Sequence, residues 1–256
     1  PVLTWSKHLD AIFDPKTNDI AHLEQRDNFR YESGDRKATA NHAELDQAKN
    51  VITLDGAARV SDSTGSTAAA RIVMDQKDSD MTADGDVNSI RLPDKKAQPS
   101  GMLSADEPLH ARAKRMTTHD SSQDIVYEGD AVAWQGANRL QADVIAIDRD
   151  NDTLKAPENV VSELLDKNGG DKAKAGGKKL GEPPVFTVVH AADMLYTDDD
   201  HVARYTGGAT LKRPDLSVKG QEVIAFLRED DKKPRDPKQQ PAPAKCRQSI
   251  RFSSHA

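Results

Sequence analysis

Residues 51–60, VITLDGAARV, and residues 124–134, DIVYEGDAVAW, carry the pattern that decides the fold. In both stretches apolar residues recur at every second position, which places Leu54 and Ala58 on one face of the first stretch and Tyr127 on one face of the second. A period of two predicts half-buried β-strands. Because helical periodicity is poor along the whole chain, the sequence predicts an all-β protein.

The same pattern occurs three times. Gly56, Gly129 and Gly207 each follow a short predicted strand, in TLDG, VYEG and RYTG, at spacings of 73 and 78 residues. An isoleucine follows each glycine at a similar distance. Ile72 and Ile145 lie sixteen positions after Gly56 and Gly129, and Ile224 lies seventeen positions after Gly207. Agreement at fixed offsets indicates an internal repeat.

The repeat predicts units of about 75 residues and four strands, separated by segments that have little to bury. Residues 166–184 are rich in Lys and Gly and residues 230–256 in Pro and Lys, so we expect a flexible linker or insertion and a disordered tail. The predicted units are a partial one at 1–37, two full ones at 38–91 and 108–165, and a third, incomplete one at 185–229.

Composition narrows the classes of function. The chain has 256 residues with 36 Lys plus Arg and 42 Asp plus Glu, a net charge of −6, so we expect no nucleic-acid partner. Only 5 Phe, 4 Tyr and 2 Trp are present, which argues against a thick core. The longest apolar run, Val223–Leu227, is far shorter than the roughly 20 residues of a membrane-spanning helix. The single cysteine, Cys246, excludes an internal disulfide framework.

A sheet with one apolar face and no helices to cover it must fold over on itself, as a sandwich, barrel, solenoid or jelly roll. The inward side chains are aliphatic and mostly small, so two facing layers can leave a groove suited to an apolar ligand such as a fatty-acyl chain. A plain β core without a ligand stays open as the alternative. We expect the interior, lipid-binding face to include Leu54, Ala58, Val60, Ile72, Met74, Val87, Met116, Tyr127, Ala131, Ile145, Ile147, Val160, Met194, Tyr205, Leu211, Ile224 and Phe226.

The ordered set of motifs resembles a known family. The first copy reads AELDQAKNVITLDGAARV (43–60), followed by AARIVMDQ and TADGDV, and the second reads AKRMTTHDSSQDIVYEGDAVAW (113–134), followed by QADVIAID and KAPENV. Over roughly residues 8–228 the chain resembles the OstA-like domain of the periplasmic lipopolysaccharide-transport proteins, namely LptA, LptC and the periplasmic part of LptD. The resemblance implies an open, V-shaped β-jelly-roll whose apolar interior carries acyl chains and whose modules stack edge to edge.

Catalytic and metal-binding patterns are absent from the sequence. The eight histidines form no close-spaced metal motif, and the serines no GxSxG elbow. Asp148, Asp150 and Asp152 resemble the start of a calcium loop, but Thr153 stands at the position of the required glycine, so we interpret the segment as a polar hairpin turn. We therefore expect no enzyme activity, no cofactor and no metal site.

The resemblance implies a non-enzymatic periplasmic module of Gram-negative outer-membrane biogenesis, which carries lipopolysaccharide or another acylated lipid between the inner and outer membranes. Its expected protein partners are other OstA-like jelly-roll proteins, bound by edge-strand pairing. The alternative is a structural β-repeat scaffold or adhesin with a filled core. The chain begins at Pro1, so we interpret it as a mature product or a fragment and leave open a membrane anchor before Pro1.

Overall fold

The computed structural model describes residues 2–93, 107–119, 124–166, 185–198 and 200–227. These residues form fourteen strands of one antiparallel sheet and, within those ranges, no helix, which confirms the all-β prediction. The strands are β1 Leu3–Trp5, β2 His8–Phe13, β3 Ile20–Ser33, β4 Arg36–Asp46, β5 Val51–Asp62, β6 Gly65–Asp75, β7 Asp80–Arg91, β8 Leu109–His119, β9 Asp124–Gln135, β10 Asn138–Asp148, β11 Thr153–Asp166, β12 Val185–Thr197, β13 Val202–Arg213 and β14 Leu216–Phe226.

The sheet is an open meander. From β3 to β14 every strand pairs with the next strand in the chain, while β1 and β2 both pair with β3 at one edge. β14 forms the opposite edge and pairs only with β13 among the described strands. The sheet therefore stays open and does not close into a barrel. This agrees with the open fold that the resemblance implied.

A row of β-bulges crosses the sheet near the middle of its strands. The register shifts between Asp55 and Ala58 where β5 meets β6, and between Thr206 and Ala209 where β13 meets β14, with equivalent shifts at the pairs between them. Bulges bend a strand and increase its twist, so the row divides the sheet into two walls. The lower wall comprises residues 20–26, 42–46, 51–55, 71–75, 80–84, 115–119, 124–128, 144–148, 153–157, 193–197, 202–206 and 222–226. The upper wall comprises residues 29–33, 36–40, 58–62, 65–69, 87–91, 109–113, 131–135, 138–142, 160–166, 185–191, 209–213 and 216–220.

Two consecutive residues with positive φ form the bulge in alternate strands. The pairs are Asp27 and Asn28, Gly56 and Ala57, Gly85 and Asp86, Gly129 and Asp130, Glu158 and Asn159, and Gly207 and Gly208. Glycine, asparagine and aspartate are the residues that adopt this conformation most readily. At Gly207 the neighbouring strand adds a second constraint, because a Cβ atom there would lie 2.5 Å from the Cβ atom of Ala192.

The bulges show that the smallest repeat is a two-strand hairpin. Asp27, Gly56 and Gly85 are separated by 29 residues each, and so are Gly129 and Glu158. The spacings of 73 and 78 between the glycine motifs therefore each contain two hairpins and one longer connection. Both longer connections, β7 to β8 and β11 to β12, join upper-wall strand ends, where the other hairpins have two-residue turns. The predicted linker and tail lie outside the described residues, apart from Asp166 at the end of β11.

The turns at the lower wall are closed by aspartates at the ends of strands. The side chain of Asp46 accepts a hydrogen bond from the backbone N–H of Lys49 at 3.2 Å, and that of Asp148 from the N–H of Asn151 at 2.9 Å. The Asn151 side chain also donates to Asp148, and these bonds hold the pKa of the Asp148 carboxyl below its usual value. Asp148 thus has a structural role in the hairpin turn that the sequence predicted for it.

We expect the replacement of Gly207 by Ala to lower the free energy of unfolding by about 2 kcal/mol or more, because it combines left-handed backbone strain of about 1–2 kcal/mol with the contact to Ala192. Gly208 is the matched control, since it also has positive φ but a Cβ atom there would meet nothing within 4 Å. Urea unfolding of both variants measures the difference. Adding Ala192→Gly to Gly207→Ala should restore part of the loss, and equal costs for Gly207→Ala and Gly208→Ala would contradict the packing argument.

Candidate functional site

The apolar faces of the two walls meet and form one continuous interior. Twelve of the seventeen predicted inward residues are buried there, and three more are half-buried and pack against the buried cluster. The buried ones are Leu54, Ala58, Ile72, Val87, Met116, Tyr127, Ala131, Ile145, Val160, Met194, Tyr205 and Leu211; the half-buried ones are Val60, Met74 and Ile147.

The prediction was wrong for Ile224 and Phe226, which lie on the outer face of β14. Val223 pairs with the inward Tyr205 and is only 2 % exposed, whereas Phe226 is 57 % exposed. The run Val223–Leu227 is apolar at every position, so it contains no alternation from which to choose a face. Val223 is the residue sixteen positions after Gly207, and the offset of seventeen was a slip of one residue, which reverses the face of every side chain in a strand.

A groove opens between the walls in the first part of the sheet. It has a volume of about 520 Å³ and is lined by residues of strands β3 to β8. Since neighbouring strands lie about 4.8 Å apart, six strands give a groove about 24 Å long. Its apolar lining comes from both walls and comprises Phe29, Tyr31, Ala38, Ile52, Leu54, Val60, Met74 and Met81.

The rim of the groove is charged, with different signs on the two sides. The upper wall contributes Arg36, Lys37 and Arg91, together with Asp62, and the lower wall contributes Asp75 and Asp80. An apolar interior with a charged rim can accommodate an amphiphile whose chains enter the groove and whose polar part stays at the surface. Because the cations lie on the upper wall, an anionic head group would interact more favourably with that side of the rim.

The interior is also open at the first edge of the sheet. Leu9 in β2 lies directly opposite Gln25, which is 2 % exposed and faces the interior, yet Leu9 is 57 % exposed. The side-chain amide of Gln25 donates a hydrogen bond to the Thr4 hydroxyl at 3.1 Å. The inward face therefore continues to the edge strand without being covered by the described residues.

The walls touch between β9 and β7. The phenol of Tyr127, on the lower wall, donates a buried hydrogen bond of 3.2 Å to the hydroxyl of Ser89, on the upper wall. Burial raises the pKa of Tyr127, and burial raises the pKa of Tyr205 to about 12. The cavity next to Leu109, Ile147 and Leu164 has a volume of only about 20 Å³, which leaves space for a water molecule but not for an acyl chain.

Sequence reasoning missed part of the groove lining, most notably Phe29 and Tyr31. These residues follow Asp27 by two and four positions, as Ala58 and Val60 follow Gly56. The 29-residue period could therefore have identified Phe29 and Tyr31. The motif was not recognised there because Asp27 stands at the position that glycine has in the other copies. Met81, on the lower wall of β7, was missed as well.

Within the described ranges, no group of three or more His, Cys, Asp or Glu side chains is placed to hold a metal ion. Those ranges also contain no helix that is long and apolar enough to cross a membrane. Cys246 lies outside the described residues.

Two comparisons with known proteins gave matches. The family described as LptA/(LptD N-terminal domain) LPS transport protein matches residues 5–80 and 110–231, which is most of the chain. A crystal structure of LptH, the LptA homologous periplasmic component of the lipopolysaccharide transport device from Pseudomonas aeruginosa, aligns with 58 % of this chain and 95 % of its own, at 14 % identity and a TM-score of 0.41. No curated protein sequence matches.

Replacing Val223 and Ile224 by Asp, one at a time, should separate the two faces of β14. We expect Val223→Asp to lower the free energy of unfolding by about 3 kcal/mol or more, because it buries a carboxylate without a partner. Ile224→Asp should cost only about 1 kcal/mol, because Ile224 is half-buried on the outer face, where a carboxylate can reach water. Urea unfolding measures both, and the reverse order would show that the register of β14 is wrong.

Proposed function

Because the chain belongs to the LptA/LptD N-terminal-domain family of lipopolysaccharide transport proteins, we propose that it binds the acyl chains of lipopolysaccharide between its two walls. In this role it is a non-enzymatic carrier, which forms part of a bridge between the inner and outer membranes. We propose the periplasm as its location, since such a bridge crosses that compartment.

The groove of about 520 Å³ is the observation that carries the proposal. Its volume lies in the range of about 300–1,000 Å³ that is typical of small-ligand sites, and such sites are mainly apolar with a few polar groups. Acyl chains would contact Phe29, Leu54 and Met74, while anionic groups of the lipid would lie nearest to Arg36 and Arg91 on the upper rim.

The alternative function is a scaffold or adhesin module whose interior is simply filled. The contact between Tyr127 on β9 and Ser89 on β7 fits this alternative for the part of the interior that lies between them. The groove between β3 and β8 does not fit this alternative. In a filled core the apolar side chains would be close-packed, whereas here they face an open volume. We therefore propose the carrier function for the chain.

We also propose that other modules of the same fold pair with the edges of the sheet. Most of the large apolar side chains that are exposed in the described residues belong to the two edges. On β1 to β3 and the residue before them these are Val2, Leu3, Trp5, Leu9, Ile12, Phe13 and Ile20, and on β14 they are Leu216 and Phe226. Unpaired strand edges with apolar side chains favour the addition of a further strand.

Photo-crosslinking tests the carrier function with a matched pair of neighbours on β6. Met74 lines the groove, whereas Val73 lies on the opposite face of the same strand. We expect a photoreactive amino acid at position 74 to capture purified lipopolysaccharide under ultraviolet light, and the same amino acid at position 73 to capture little. Capture that is equal at both positions, or absent at position 74 in the folded protein, would contradict binding in the groove.

Sedimentation tests the edge contact. We expect the chain to associate as its concentration rises, without closing at a two-fold dimer, because its two edges differ and pair head to tail. Ile12→Lys, on the edge strand β2, should weaken the association, since edge lysines block strand addition. Leu195→Lys is the control, because Leu195 is an exposed apolar residue on an internal strand. A strict monomer at high concentration, or a closed dimer, would refute edge pairing.

A further inference from the structure

Four of the residues that line the groove form one row along its upper rim. They are Arg36 at the start of β4, Asp62 at the end of β5, Gly65 at the start of β6 and Arg91 at the end of β7. Asp62 pairs with Gly65 and Gly65 pairs with Arg91, while the register of β4 against β5 places Arg36 beside Asp62. Because neighbouring strands lie about 4.8 Å apart, the backbones of the two arginines are about 14 Å apart.

The rim is low between the two arginines. A Cβ atom at Gly65 would lie 2.1 Å from the carbonyl oxygen of Ile90, so this position can carry only a bare backbone. The carboxylate of Asp62 accepts hydrogen bonds from the backbone N–H groups of Thr64 at 2.8 Å and Gly65 at 3.1 Å, which hold it in the turn between β5 and β6. A polar head group can therefore lie across the rim at Gly65, with one arginine on each side.

The contacts of the neighbouring side chains indicate which cations belong to this site. Nη1 of Arg91 lies 3.5 Å from the hydroxyl oxygen of Thr64, in the turn between β5 and β6, so the guanidinium group extends along the rim towards Arg36. The ammonium group of Lys37 lies 3.5 Å from a carboxylate oxygen of Glu32 and is already paired. We therefore assign the β4 end of the site to Arg36 and the β7 end to Arg91.

The charges on the two rims select the kind of head group. A guanidinium group binds phosphate or carboxylate through two parallel hydrogen bonds. The lower rim carries Asp75 and Asp80, which repel an anion and favour its position on the upper rim. One anionic group can occupy one arginine, whereas a head group with two separated anionic groups can occupy both at once.

We propose that Arg36 and Arg91 form a two-point site for an amphiphile whose head group carries two anionic groups about 14 Å apart. This inference rests on the proposed carrier function and names the class of head group that accompanies the acyl chains. The chains lie between the walls against Leu54 and Met74, the uncharged part of the head group crosses the rim at Gly65, and each arginine binds one anionic group.

Competition between two lipids tests the site. The probes are an acylated glucosamine disaccharide that carries two phosphates and the same molecule with one phosphate removed, offered as an equimolar mixture in one non-ionic detergent. Native mass spectrometry measures the ratio in which the full chain binds them. We expect the unaltered protein to favour the bisphosphorylated lipid about tenfold, as is usual for a charge-assisted hydrogen-bonded contact. Arg36→Gln and Arg91→Gln should each bring the ratio close to equality.

Arg59→Gln is the matched control, because Arg59 is an exposed arginine of the same wall that lies between the inward residues Ala58 and Val60 and so faces outward. It should leave the ratio unchanged, and an equal loss in all three variants would reveal attraction to net charge and overturn the site. Equal binding of both lipids by the unaltered protein, or a loss in only one of the two rim variants, also overturns the two-point site and leaves the carrier function standing. If the unaltered protein binds neither lipid, the carrier function fails, and the site fails with it.

Discussion

The row of β-bulges is the constraint on which the rest of this structure depends. A meander of long antiparallel strands would otherwise form one twisted sheet with an uncovered apolar face. Because a pair of positive-φ residues recurs in alternate strands, from Asp27 to Gly208, every strand bends at the same level. The apolar face then turns against itself, and the two walls bury a common interior without any helix. This arrangement explains why Gly207 packs against Ala192 with no room for a side chain.

Once the walls are set by the backbone, the width of the interior depends on which side chains face each other across it. The bulges impose the same geometry on each hairpin, so equivalent positions can be compared directly. Leu54 stands two positions before Gly56 and lines an open groove. Tyr127 stands two positions before Gly129 and joins the walls through a hydrogen bond to Ser89. The same repeated scaffold thus contains a section that is open beside Leu54 and a contact between the walls at Tyr127.

The strands and most of the inward face could be predicted from the sequence, because a period of two and a repeated glycine motif are local signals. Ile72 and Ile145 follow from that alternation and are buried. The face of Ile224 could not be predicted from alternation, since the run Val223–Leu227 is apolar throughout. Pairing with β13 places Val223, sixteen positions after Gly207, on the inward face instead. Phe29 escaped notice because Asp27 adopts the backbone conformation that glycine has elsewhere. The volume of the groove depends on the distance between the two walls, and no local sequence pattern encodes that distance.

The open edges and the groove are consequences of the same topology. In a meander the strands follow one another across the sheet, so the interior between the walls runs across the strands from the first edge to the last. A closed barrel would cover both ends, whereas here the inward face of β2 still exposes Leu9 at the first edge. A second module that pairs with this edge would extend the sheet and, because the bulges keep their level from strand to strand, would continue the groove in register. The edge pairing and the lipid binding proposed above would therefore both depend on the open topology of the sheet.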